Sequence, residues 1–108
     1  MDLVSLADAP KHDPDRFVAV PLLDGDKCNA RVIRLSPGQS LPPHTHGASE
    51  LMLFVVEGDA VLETERGPVP FPSGSLARLA GDEELRVSYD GGGPVALLAF
   101  LAPPFPPR

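Results

Sequence analysis

The sequence predicts an all-β domain, an antiparallel sandwich or barrel, and three observations carry that expectation. Ten glycines and 14 prolines stand among 108 residues, roughly twice the average share, and they are dispersed as punctuation. The longest stretch free of both, Asp26 to Ser36, is eleven residues. Gly costs a helix interior about 1 kcal/mol and Pro about 3, so helices here would be short and poorly formed. Between the turn signals lie apolar runs of strand length.

Taken in chain order, residues 1–16 show no sustained apolar period and are expected to be peripheral, with His12 a solvated loop residue that can fold over the site. Strands are predicted at Phe17–Leu23, Cys28–Leu35, Leu51–Val56, Ala60–Thr64, Ser75–Ala80, Leu85–Tyr89 and Val95–Ala102. Leu85, Val87 and Tyr89 alternate with Arg86, Ser88 and Asp90, the pattern of a strand with one buried face. Leu51–Val56 and Val95–Ala102 are apolar on both faces, as in a sheet covered on both sides. Ser36-Pro37-Gly38-Gln39, Glu65-Arg66-Gly67 and Asp90-Gly91-Gly92-Gly93-Pro94 read as turns. The tail, residues 103–108, is proline-rich and expected to lie extended on the surface. One domain over 1–108, with its core at 17–102, is the expected organisation.

Charge narrows the partners. Fifteen acidic against nine basic residues leave a net charge of −6, which repels phosphate and disfavours both nucleic acid and anionic membranes. No apolar run approaches the ~20 residues of a membrane span, and Met1-Asp2-Leu3-Val4-Ser5 lacks the basic start of a signal peptide. A single cysteine, Cys28, allows no internal disulfide and fits a reducing compartment. A cytoplasmic location is the expectation, with Cys28 a buried, inert thiol.

Two of the three histidines stand as His44-Thr45-His46. On a strand, i and i+2 point to one side with Cα atoms ~6.6 Å apart, close enough for two imidazoles to meet one metal ion. Gly47-Ala48-Ser49 can turn the chain so that Glu50 opens the returning strand beside them. Two histidines and one carboxylate with open positions suit non-haem iron, with manganese or zinc also accommodated.

The order Gly38, five residues, His44-Thr45-His46, three residues, Glu50 resembles the first signature of the cupin superfamily, including the Pro37-Gly38 turn. The family places six residues between that carboxylate and a following glycine, whereas seven separate Glu50 from Gly58. Either a bulge absorbs the extra residue, or Leu51 holds the ligand position. Fifteen residues then lead to Gly74, as in the family. The second signature is degenerate: Leu85 stands where its histidine belongs and Tyr89 where its asparagine belongs, or, in a rival alignment on Pro72-Ser73-Gly74, Ala77 takes the histidine position. No histidine follows His46.

The resemblance implies a jelly-roll β-barrel with the histidines facing its interior. It also implies a metal site of His44, His46 and Glu50 for a divalent transition metal (Fe, Mn, Zn or Ni), and a cavity lined by Leu85 and Tyr89. Arg31 is in phase with Ile33 and Leu35 and can line the same cavity to bind a substrate carboxylate, the alternative being a surface Arg with its stem lying flat; Gln39 is the nearest spare neutral ligand. Two functions follow as expectations. One is a metal-dependent enzyme of the oxygenase type acting on a small organic molecule. The other is a non-catalytic barrel that binds or senses a small ligand. A two-fold homodimer is expected through the strand Leu51–Val56, whose second face needs a cover; the alternative cover is the segment Leu3–Leu6 of the same chain.

Overall fold

A computed structural model of the chain describes residues 1–89, 91 and 93–107. The described residues form β1 (Val18–Asp24), β2 (Asn29–Leu35), β3 (Ser40–His44), β4 (Glu50–Glu57), β5 (Ala60–Thr64), β6 (Gly67–Phe71), β7 (Leu76–Leu79), β8 (Leu85–Tyr89) and β9 (Val95–Ala102). A single short 3-10 helix, Leu6–Asp8, precedes them. The larger sheet has the order β1-β2-β9-β4-β7 and the smaller one β3-β8-β5-β6, and the neighbouring strands in both are antiparallel.

The core lies between the two sheets and follows the period-2 pattern of the strands. Ile33 and Leu35 of β2, Leu51, Leu53 and Val55 of β4, and Val95, Leu97, Ala99 and Leu101 of β9 come from the larger sheet. Leu41, Ala60, Phe71, Leu85 and Val87 meet them from the smaller one. Most of the large side chains among these are sealed from solvent, and burying a Leu or Val is worth about 1.5–3 kcal/mol each. The all-β expectation therefore holds in its packing as well as in its elements.

The strands foreseen at Ala60–Thr64, Leu85–Tyr89 and Val95–Ala102 have the predicted bounds. Two strands, β3 and β6, were not foreseen because each carries two prolines, Pro42-Pro43 and Pro68 with Pro70. Both lie at the edges of the smaller sheet, where prolines are tolerated because only one side of the strand is bonded; at Pro42-Pro43 the pairing with β8 is interrupted. Prolines there also discourage a further strand from adding to the sheet. The turn at Ser36–Gln39 forms, with the Gln39 amide donating to the Ser36 carbonyl at 3.0 Å. Of the turn expected over 90–94, Asp90 and Gly92 lie outside the described residues, and so does Arg108 of the tail.

The tail lies at the surface and is fixed there, since Phe105 packs against the core and its backbone is bonded to Asn29. Two peripheral expectations need correction. Cys28 is exposed, since it precedes β2 in the turn where its carbonyl accepts from Gly25. The N-terminal segment crosses the barrel end formed by Leu35 and Val95, not the end that holds His44 and His46. His12 Nε2 donates to the Val95 carbonyl at 2.9 Å, and Ser36 and Gln39 both donate to the Asp13 carbonyl.

Candidate functional site

His44 ends β3 and His46 follows in the loop. The loop is held on two sides. The His46 amide donates to the Gly81 carbonyl at 2.8 Å, and the Ser49 amide donates back to the His46 carbonyl at 3.0 Å. Gly81 packs so closely on this turn that a Cβ there would overlap the Gly47 carbonyl and stand 2.7 Å from that of Ser49. A side chain at 81 and the present histidine loop are mutually exclusive. This contact between the loop and the β7–β8 connection brings the two imidazoles together, their ring centroids 4.6 Å apart in an edge-on arrangement.

The two rings have different surroundings. His44 is half-buried, and its Nδ1 donates to the Pro42 carbonyl at 2.9 Å. That bond leaves Nε2 as the bare nitrogen of the neutral ring. His46 is 4% exposed, and its Nδ1 is buried with no hydrogen-bond partner among the described residues. Burial, with His44 as a second cause, pushes the His46 imidazole below its ordinary pKa, because the charged ring loses water and faces a second potential cation. The Phe105 ring lies edge-on to His46 at 5.0 Å.

Glu50 does not join the pair. The inward side chains of β4 are Leu51, Leu53 and Val55, so strict alternation turns Glu50 to the opposite face. There it forms an exposed ion pair with Arg78 on β7, 3.0 Å apart. Of the two registers left open by the sequence, Leu51 takes the inward position; the bulge between Val55 and Glu57 lies further along the strand. On β8, Leu85 is the direct cross-strand partner of His44, which supports the alignment that sets Leu85, and not Ala77, at the missing histidine. The site thus contains two imidazoles beside two leucines.

Leu85 does line a cavity of about 1180 Å³. Its apolar floor is Leu62, Ala77, Leu79 and Leu85, and its rim carries Arg66, Arg78 and Arg86 among five carboxylates. Leu79 pairs with Leu51 and Leu85 with His44, so the cavity begins one strand away from the histidines. Tyr89 and Arg31 are not part of its lining. Tyr89 is at the other end of β8, ~13 Å along the strand from Leu85, where its hydroxyl accepts from the Gly93 amide. Arg31 keeps the inward phase but donates to the Ala19 carbonyl on β1. Gln39 spends both ends of its amide on Ser36 and Asp13. Phe105 is the residue that sequence reasoning missed; an aromatic ring among prolines after the last strand was its only signal.

Two imidazoles fall short of the three protein ligands of catalytic zinc sites and of the two-histidine, one-carboxylate set for iron. Among the described residues, no three His, Cys, Asp or Glu side chains stand together as a metal site. The donor set does not fit a resident metal ion.

No protein-family model and no curated protein matches the sequence. Solved structures do match over nearly the whole chain. An RmlC-like cupin protein from Desulfovibrio desulfuricans is 24% identical, with a TM-score of 0.83, covering 97% of this chain and 99% of that one. A protein from Thermus thermophilus is 21% identical, with a TM-score of 0.85 and coverage of 96% and 99%. A conserved protein with a double-stranded β-helix domain from Klebsiella pneumoniae is 17% identical, with a TM-score of 0.85 and coverage of 94% and 84%.

Proposed function

Starting from the premise that this chain has the double-stranded β-helix fold of the cupins, we propose that it is a barrel that binds a small organic molecule, with His44 and His46 as its polar handles. The observation that carries this reading is the composition of the inward positions around the pair: Leu51 and Leu85 occupy them, while Glu50 faces outward to Arg78. Ligand pockets are mostly apolar, with a few polar groups that fix orientation; the histidine pair beside Leu51 and Leu85 has that character, whereas the neighbouring cavity carries a charged rim. The bare Nε2 of His44 accepts a hydrogen bond from a ligand hydroxyl or amide. The role is recognition, and the reading requires no bond to be made or broken.

A second reading, the metal-dependent enzyme of the oxygenase type, draws on one observation. The Pro42 carbonyl fixes the His44 tautomer as such carbonyls do for metal-bound histidines. Fe, Mn, Zn or Ni held there would need solvent or the ligand itself to complete its shell. A cytoplasmic location and a homodimer are part of the proposal: the first accords with the exposed, unpaired Cys28, and the second is argued below from the sheet face.

Elemental analysis of protein purified without chelator separates the two readings. The expected result is well under one equivalent of transition metal per chain, with a fragment panel still shifting the His44 and His46 ring signals in NMR spectra. Replacing both histidines by Ala should remove that binding, and Glu50→Ala should leave it intact. About one equivalent of tightly held metal, lost in Glu50→Ala, would overturn the proposal in favour of the enzyme.

A further inference from the structure

We propose that the C-terminal segment is a built-in occupant of the histidine site: the Phe105 ring closes that end of the barrel, and the ligand it excludes is a small aromatic molecule. The closure stands on geometry alone; the ligand class rests on the binding role proposed above.

The segment is tied down at two points. As the chain leaves β9, Ser49 Oγ donates to the Pro103 carbonyl at 2.6 Å. Two residues on, Asn29 Nδ2 donates to the Phe105 carbonyl at 2.6 Å and Asn29 Oδ1 accepts from the Phe105 amide at 3.2 Å. Asn29 is buried at the first position of β2. A buried amide is costly unless its polar atoms are bonded, and here they are bonded to the backbone of one residue in the tail. This clamp gives the buried asparagine its physical reason.

What the clamp presents is a ring. Phe105 stands edge-on to His46, with centroids 5.0 Å apart and planes at 69°, a geometry that favours aromatic pairs. It also packs on the core cluster, and His46 behind it is 4% exposed. Yet Phe105 itself is only half-buried and lies beyond the last strand, without a ladder of backbone bonds. Segments held by so few bonds open at low local cost. A ring tethered in this way acts as an intramolecular ligand at high effective concentration. A free ligand meets a site open only part of the time, so its apparent affinity falls by that fraction. The competitor that best replaces Phe105 is another aromatic ring, and one bearing a hydroxyl offers His46 Nδ1 the partner that it lacks among the described residues.

The experiment compares the full chain with Phe105→Ala and with Asn29→Ser, which keeps the ring and removes the clamp. The first readout needs no ligand: the rate at which diethyl pyrocarbonate modifies His46, mapped by mass spectrometry, with His12 at the opposite end as internal reference. The expected result is a rise of about tenfold or more at His46 in both variants and no change at His12. The second readout is a titration with benzyl alcohol followed on the His46 ring signals. It should saturate in the variants at about a tenth of the concentration that the native chain requires. Cooperative thermal unfolding certifies each variant as folded, and Asn29→Ser alone suffices if Phe105→Ala fails that check. Unchanged His46 reactivity in a folded variant overturns the closure. Raised reactivity with no benzyl alcohol binding overturns the aromatic ligand and leaves the broader binding role to its own test.

Discussion

His46 is the one ionisable side chain among the described residues that falls in the buried class, and its lowered pKa is a statement about stability. Between that lowered value and the ordinary imidazole value near 6.5, the unfolded chain binds the proton and the folded chain does not. Stability therefore rises with pH across this window; it is fully present above about pH 6.5 and is lost as pH falls through the native value. The urea unfolding free energy of the native chain should decline from pH 7.5 toward pH 5.5, and His46→Gln should flatten that decline. A native profile that is level over the same range, or a slope that persists in His46→Gln, contradicts the assignment. The histidine pair itself was legible in the sequence because i and i+2 share a face on any extended segment. Glu50 was not, because its direction depends on which residue of the turn starts the alternation. One signal was present: seven residues, not the family's six, separate Glu50 from Gly58, and six would place the inward residue at Leu51.

At the scale of elements, punctuation by Gly and Pro located most strands, and strand parity placed most core residues. The failures share one cause. Pro42-Pro43 and Pro68-Val69-Pro70 read as breaks, since a proline removes a ladder bond, yet β3 and β6 each have only one bonded neighbour and tolerate the loss. Edge or centre is a property of the whole sheet, which a local window does not contain. The β7–β8 connection teaches the same lesson through Gly81. Its missing side chain is what lets the loop of His46 seat against it. Gly81→Ala forces a methyl group against backbone carbonyls that cannot swing aside, and overpacking of this kind costs about 1–3 kcal/mol. The predicted variant is folded but less stable by that amount in urea, with shifted His44 and His46 ring signals. A Gly81→Ala chain with native stability and native histidine signals would remove the contact from the account of the site.

The whole molecule leaves one face of its larger sheet only partly covered. On the side away from the core, Val20, Val32, Leu98, Phe54 and Leu76 form one cross-strand row, and Leu23, Ala30, Phe100 and Met52 form the next. Phe100 is 42% exposed and Leu76 63%, so the rows are partly open to water. Contiguous apolar patches of this sort are uncommon on monomers. The competing cover, the N-terminal segment, lies over part of this face, where Arg34 donates to the Leu6 carbonyl and Val32 is 0% exposed, but Leu3 is 87% exposed and leaves Leu76, Phe100 and Met52 open. Five strands about 4.8 Å apart and seven residues of about 3.4 Å make a face roughly 24 Å square. The proposed homodimer would use this face, since antiparallel rows can mate with themselves about a two-fold axis. Two chains of net charge −6 repel one another at low ionic strength, so association should strengthen with added salt. Sedimentation equilibrium at micromolar concentration and above is expected to give twice the 11.4 kDa chain mass, rising toward that value between low and moderate salt. The double substitution Met52→Glu with Phe100→Glu should return a folded monomer. A native chain that stays at 11.4 kDa under all these conditions would mean that the apolar rows face solvent, and the dimer would be withdrawn.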